Sequence, residues 1–181
     1  MKKYIIVALM LCGAYVSNAQ TASSTATQTV NLALSNAIEL TFTGSGTATG
    51  TAVTIPFTSV NDYANGVESA AQQLKVRSNK AFGVTVKANA TNFTYTGSTT
   101  PAPVMPVATV LDAKVSANTT GGTIAGTFAS YTDLTSSAQS MISNGTYGGN
   151  QLFSVMYKAT PGFAYPAGTY TVDVVYTATQ M

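Results

Sequence analysis

The sequence predicts an all-β protein, a single antiparallel β-sandwich of the immunoglobulin-like, Greek-key type with one short helix. Three observations predict this fold. Apolar and polar residues alternate with a period of two over several short segments, as they do in strands that bury one face. Gly, Pro and Asn turns separate these segments. Threonine and valine, whose branched side chains favour a pleated surface, are frequent within them.

The N-terminus has the layout of a cleaved bacterial secretion signal. Lys2 and Lys3 precede an apolar run at 4–11, and Ala19 closes the small-residue pattern of a cleavage site. The apolar run is too short to cross a bilayer. Cys12, the only cysteine of the chain, lies inside this signal, so we expect the exported protein to contain no thiol.

The sequence divides into a signal at 1–19, a flexible N-terminal arm at 20–29 and one β-sandwich domain at 30–181. Without the two signal lysines, six cations balance six acids. Such a balance offers no basic patch for phosphates, so we expect no nucleic-acid partner. No segment after the signal is apolar enough to predict a membrane span. We therefore expect an exported protein of the cell surface, either extracellular or periplasmic.

The longest alternation follows the arm, with every second residue apolar and one break at Asn36. The apolar residues are Val30, Leu32, Leu34, Ile38, Leu40 and Phe42. This pattern predicts either one half-buried strand or two strand segments jointed at Ser35 and Asn36.

Shorter elements follow in the middle of the chain. A short strand at 52–58 contains Pro56, which places it at a sheet edge or a bulge. Asn65 and Gly66 mark a turn. The alternating segments 74–77 and 82–87 predict a hairpin.

The one helix is predicted at 133–142, because Leu134, Ala138, Met141 and Ile142 fall on one helical face. At one to three turns, it would pack across an end of the sandwich. Further strands are predicted at 123–131, 152–157 and 169–177. The apolar run of the second of them predicts a central strand.

The composition argues against an enzyme. The chain has no His, and its single Cys lies in the signal, so the exported protein cannot form a Ser-His or Cys-His nucleophile pair. The carboxylates that could form a glycosidase pair come singly along the sequence. They are Glu39, Glu68, Asp112, Asp133 and Asp173. Zinc requires His or Cys and calcium a cluster of acidic side chains, so we expect no metal and no cofactor.

Assembly by strand exchange is the function that the first alternation favours. Val30, Leu32 and Leu34 would be the anchors that enter the sheet of a neighbouring copy, while the residues after the joint belong to the subunit's own sheet. The joint at Ser35 and Asn36 is where the chain would cross over. The alternative is an ordinary first strand that switches between the two sheets of its own sandwich.

Loop aromatics offer a second hypothesis, the binding of carbohydrate. Tyr147, Phe163 and Tyr165 lie in predicted loops, where exposed rings could stack on a sugar. The alternative is that these rings close the open end of the sandwich.

The stretch at 166–174, PAGTYTVDV, resembles the closing strand of bacterial spore-coat-U-like and related fimbrial β-sandwich domains. Residues 76–79 followed by 82–86 resemble the early hairpin of those domains and of WxL-type surface domains. The resemblance implies an immunoglobulin-like secreted domain, in some relatives a pilin that polymerises by donor strands. Gln180 stands where many such pilins carry a penultimate aromatic residue.

Together these patterns favour a secreted structural or adhesive protein of the bacterial surface. Its partners would be further copies of itself or other surface proteins. The alternative is a monomeric extracellular module that binds carbohydrate or matrix.

Overall fold

The computed structural model describes residues 22–181. The predicted signal at 1–19, with its cysteine, lies outside the described residues. The chain divides into two units, one that ends at Leu34 and one that spans Ser35–Met181. Residues 22–34, the described part of the first unit, form no helix or strand and are called the N-terminal segment below. The second unit contains all the strands and helices described next.

The second unit is built from twelve strands, one α-helix and one 3₁₀ helix. The strands are β1 (Ile38–Phe42), β2 (Val67–Glu68), β3 (Gln72–Ser78), β4 (Phe82–Ala88), β5 (Thr94–Thr96), β6 (Leu111–Asn118), β7 (Thr123–Ile124), β8 (Thr132–Asp133), β9 (Gln139–Gly145), β10 (Gly148–Ala159), β11 (Thr169–Thr171) and β12 (Val174–Gln180). The helices are α1 (Val60–Asn65) and the 3₁₀ helix Gly126–Ala129.

Two antiparallel sheets form the sandwich, which confirms the predicted all-β class. The larger sheet has the order β1-β3-β10-β6-β8, with β2 beside β10, and the smaller sheet has the order β12-β4-β9-β7. Strands β5 and β11 form a separate pair. Strand β10 lies inside the larger sheet, as its apolar run predicted. The immunoglobulin-like, Greek-key connectivity stays a prediction.

The core follows the period-two pattern of the sequence. On β3 and β4, the alternate apolar side chains are buried, with at most 1% of their surface exposed, while the residues between them face outward. Inward residues of both sheets form one hydrophobic cluster. Its largest fully buried side chains are Leu74, Phe82, Phe128, Leu134, Met141, Ile142 and Phe153.

The predicted hairpin between 74–77 and 82–87 is wrong. Strand β3 pairs with β1 and β10 in one sheet, whereas β4 pairs with β12 and β9 in the other. The short connection therefore carries the chain from sheet to sheet. The hydroxyl of Ser78 donates to the Lys80 carbonyl at 2.7 Å and accepts from the Lys80 amide at 3.2 Å, which holds this corner.

The helix predicted at 133–142 is also wrong. This segment contains the end of β8, a loop and the start of β9. The side chain of Gln139 fixes the loop by accepting from the Thr135 amide and donating to the Asp133 carbonyl. The four apolar residues that suggested a helical face include three that enter the core from the loop and strand, because pairing of β9 with β4 outweighs local helix preference.

The α-helix lies instead at Val60–Asn65, where the sequence predicted only a turn at its end. The Ser59 side chain caps it by accepting from the Asp62 amide, and the Asp62 carboxylate accepts from the Ser59 amide at 2.8 Å. This reciprocal pair is a capping box. Hydrogen bonds from the backbone amides of Thr58 and Ser59 lower the pKa of Asp62. Gly66 ends the helix with φ of 76°, a conformation that favours glycine.

Other predicted strands are shorter in the structure or missing. Residues 52–58 form none. The strand at 123–131 is limited to β7, which a 3₁₀ helix follows, and the final strand divides into β11 and β12. Within residues 22–181, no helix has the length and apolar character needed to span a bilayer.

Two tyrosine hydroxyls connect the sheets inside the sandwich. The hydroxyl oxygens of Tyr157 on β10 and Tyr176 on β12 lie 2.6 Å apart. Burial raises the pKa of both groups, so the pair stays protonated and shares a hydrogen bond.

Removing one of these hydroxyls should cost more than removing both. We expect Tyr176→Phe to lower the free energy of unfolding by about 1–2 kcal/mol, because it leaves the Tyr157 hydroxyl buried without a partner. The double variant with Tyr157→Phe should recover most of this loss. Urea unfolding of the three variants measures both effects, and costs that simply add would contradict the coupling.

Candidate functional site

The side of the sandwich formed by β1 and β12 is the candidate site, and we call it the open edge. Each of these strands is the last in its sheet. Their side chains meet across the sandwich, since the rings of Phe42 and Tyr176 pack edge to face with centroids 6.1 Å apart. At the other end of the two strands, the Gln180 side chain donates to the Ala37 carbonyl at 2.8 Å.

Inward side chains at this edge keep part of their surface in water. On β12, Val174, Tyr176 and Ala178 are half-buried, although their partners on β4 are at most 1% exposed. On β1, Leu40 and Phe42 are half-buried beside fully buried partners on β3. The core is therefore incompletely covered where a further strand would lie.

The backbone of β1 is also available at this edge. The Ala37 carbonyl accepts from Asn79, and the Thr43 amide donates to Gln73, so these residues bond toward β3. In an antiparallel ladder every second residue between them directs its amide and carbonyl groups to the other side, and of these Phe42 already bonds to Thr47 and Gly46 of the following loop. Ile38 and Leu40 thus present backbone donors and acceptors to an added strand.

The three predicted anchor residues are exposed in the structure. Val30, Leu32 and Leu34 of the N-terminal segment expose 74, 83 and 88% of their surface. Ile38, Leu40 and Phe42 lie in β1, paired with β3, as expected of residues after the joint. The break at Asn36 therefore separates exposed apolar residues without a strand from those of the subunit's own sheet.

The structure does not bring the predicted ligand aromatics together. Tyr147 precedes β10 and is 72% exposed, whereas Phe163 follows β10 and is 68% exposed. The twelve residues of β10 separate them by roughly 35 Å. Tyr165 packs edge to face on Tyr170, and Phe163 stacks on Tyr63 with ring centroids 5.6 Å apart.

Two carboxylates that are distant in sequence meet on the outer face of the larger sheet. Asp112 on β6 stands opposite Asp133 on β8. Partial burial, followed by the neighbouring Asp133 carboxyl, raises the pKa of Asp112 to about 6. Lys158 is its cross-strand neighbour on β10, and the ammonium of the nearby Lys114 lies 4.2 Å from the ring centre of Tyr131.

This carboxyl pair should make stability depend on pH. The pKa of Asp112 in the folded chain, about 6, exceeds its ordinary value of 3.8. At pH values between the two, the folded chain therefore binds more protons than the unfolded chain. The free energy of unfolding should fall as the pH rises from 4 to 7. We expect this decrease to be only roughly 1 kcal/mol, because solvent screens the charge of this partly exposed group.

Asp112→Asn should raise stability at pH 7 by a similar amount and flatten the pH dependence. Urea unfolding between pH 4 and 8 measures both effects. Glu39→Gln is the control, since Glu39 forms an exposed ion pair with Arg77 and should change little. An unchanged pH slope in Asp112→Asn would contradict this account.

No arrangement in residues 22–181 joins three potential metal-ligating side chains. Two surface depressions of about 190 Å³ each, one beside Phe42 and one beside Gly83, are lined by no charged side chain. The carboxyl pair lies in neither of them.

Comparison with known protein families finds no family model that matches this chain, and no curated protein matches it. The resemblance to fimbrial and spore-coat-U-like domains therefore stays a prediction from the motifs quoted above.

Proposed function

We propose that this protein is an exported structural or adhesive subunit of the bacterial surface. It assembles when the N-terminal segment of one copy adds as a strand to the open edge of another copy. The observation that supports the proposal is that the open edge and the N-terminal segment of the same chain are complementary. The open edge has half-buried inward side chains, and the N-terminal segment has alternating apolar residues in no strand of its own.

The chemistry of the two partners is complementary. An added strand forms main-chain hydrogen bonds with an edge strand, and its alternate side chains enter the core. Burial of each aliphatic anchor contributes about 1.5–3 kcal/mol. Ordering of the segment and loss of rigid-body freedom oppose this gain. Three anchors, Val30, Leu32 and Leu34, together contribute about 4.5–9 kcal/mol of burial, to which the main-chain hydrogen bonds of the added strand are added.

The predicted export is compatible with this function. A secretion signal would deliver the chain outside the cytoplasm, where subunits can assemble into a fibre or layer. The exported chain would contain no cysteine, so its subunits would associate without disulfides.

The solution mass of the exported full chain tests the proposal. We expect light scattering after size exclusion to show dimers and larger species that increase with concentration. The intact mass of the same sample reports where the chain begins. A monomer at all concentrations up to the millimolar range would overturn self-assembly.

Carbohydrate binding is the second candidate function, and the ring of Phe163 favours it. Phe163 is 68% exposed and lies on Tyr63, which in turn packs on Phe57. Such a supported ring offers an open face to a sugar. Glycan-array binding that Phe163→Ala removes and Tyr147→Ala retains would support this function, whereas no binding by the parent chain would exclude it.

A further inference from the structure

Two polar side chains hold the backbone immediately before β1, and we call Asn79 and Gln180 the clamp. The Asn79 side chain accepts from the Ala37 amide at 2.9 Å and donates to the Ser35 carbonyl at 2.7 Å. Its backbone amide donates to the Ala37 carbonyl at 3.2 Å. Gln180 on β12 donates to the Ala37 carbonyl and to the Asn79 side-chain oxygen, at 2.8 and 2.9 Å.

The clamp joins Ala37, the residue before β1, to Asn79 by hydrogen bonds. Ile38 is paired with Ser78, so Ala37 opposite Asn79 is the next step of the β1–β3 ladder. Asn79 lies at the corner between the sheets, and its side-chain oxygen takes the place of the backbone acceptor that a continuing strand would supply.

The alternation alone would allow the N-terminal segment to close as a hairpin on its own β1. Residues directly opposite each other in a ladder share a face. All three anchors point inward only in one register, which makes three opposed pairs. These are Leu34 with Ile38, Leu32 with Leu40, and Val30 with Phe42. The turn then consists of residues 35–37, a common hairpin length.

The clamp opposes this closure, because Ala37 cannot lie in the turn and in the ladder at once. A shift by one residue keeps Ala37 in the ladder but points the anchors toward solvent. A shift by two residues leaves Leu34 in the turn and sets polar Gln28 opposite Phe42. While the clamp is intact, the N-terminal segment therefore cannot bury all three anchors as a hairpin on its own β1.

We infer that the clamp keeps each N-terminal segment from closing as a hairpin on its own β1, so that a second copy of this chain supplies the strand added to β1. This inference rests on the proposed strand addition. Asn79 and Gln180 act as positioning residues that select exchange between copies over closure within one copy.

A pair of cysteines distinguishes the two states. Ala33 and Glu39 stand opposite each other in the closed hairpin, so Ala33→Cys with Glu39→Cys reports closure as a disulfide within one chain. Cys12→Ser removes the one native cysteine. Non-reducing gels and peptide mapping after mild oxidation measure the yield within chains and between chains.

Without the clamp, the N-terminal segment should close on its own β1 instead of adding to another copy. With Asn79→Ala and Gln180→Ala, we expect at least about tenfold more disulfide within the chain, and fewer high-mass species by light scattering. Lys80→Ala with Thr179→Ala alters the neighbouring residues and should behave like the parent. An intrachain yield and a mass distribution equal to those of this control would overturn the inference.

Two different measurements test this inference and the proposed function, namely the intrachain disulfide yield and the solution mass. A parent chain that is monomeric at every concentration contradicts assembly, whereas the intrachain yield still reports whether the clamp prevents closure. Gln180→Ala alone retains the bonds of Asn79 and should give an intermediate yield. Thermal unfolding of each variant verifies that the yield reflects closure of folded chains.

Discussion

Leu32→Asp should abolish assembly of the full chain and leave its thermal stability unchanged. The Leu32 side chain is 83% exposed in the free chain, so the substitution removes almost no intramolecular contact. In an added strand, the same position would place a carboxylate in the neighbour's core. The loss of leucine burial and the cost of an unpaired buried charge should weaken association at least ~100-fold.

Asn31→Asp is the matched control for this prediction. It adds the same charge one position earlier, on the face of the strand that points away from the neighbour's core. Light scattering should therefore show the parent distribution of masses for Asn31→Asp and monomers for Leu32→Asp. Equal effects of the two substitutions would indicate that charge, rather than anchoring, controls association.

Phe153→Ala should cause the largest loss of stability. Phe153 lies in β10, inside the larger sheet, is 1% exposed and packs against the ring of Tyr176. Truncation of a buried phenylalanine costs about 3–5 kcal/mol, since the surrounding strands cannot collapse into the cavity. The midpoint of thermal unfolding should fall by roughly 10 °C.

Leu152→Ala is the control for this substitution. Leu152 is the preceding residue of the same strand, and its half-buried side chain points to the outer face. We expect a loss of about 1 kcal/mol or less. Calorimetry on both variants tests the assignment of faces on β10, and a larger loss for Leu152→Ala would mean that the register of this strand is different.

The period-two pattern was sufficient to predict the class of fold and the inward residues of the main strands. The even positions of β4 and β12 face the core as the alternation predicts, whereas on β1 Ile38 is exposed and the odd residue Thr41 is buried. Periodicity reports which face of a strand is buried but carries no information about its partner. For that reason the short connection after β3 was interpreted as a hairpin, although it joins two sheets.

The incorrect helix has a related cause. Leu134, Met141 and Ile142 match a helical face, yet Met141 and Ile142 are buried by the pairing of β9 with β4, and Leu134 enters the core from the loop after β8. The true helix is only six residues long and has no buried residue, so no apolar period marks it. The capping pattern of Ser59 and Asp62 was the local signal that would have located it.

The candidate site was predictable only in part. The exposed anchors were visible in the alternation and its break at Asn36, but the open edge was not, because β1 and β12 lie at opposite ends of the sequence. The same separation concealed the contacts of Gln180 with Ala37 and the pairing of Asp112 with Asp133. Such contacts depend on the order of strands in the sheets.

Binding of the segment to the open edge can be measured on a chain whose own segment is disabled. The full chain with Leu32→Asp is mixed with a synthetic peptide of residues 27–36, and amide hydrogen exchange is followed by mass spectrometry. We expect slower exchange in β1 and β12, and no effect from a peptide that carries the same aspartate. No protection by the native peptide, or protection confined to β7 and β8 at the other side of the sandwich, would contradict strand addition at the open edge.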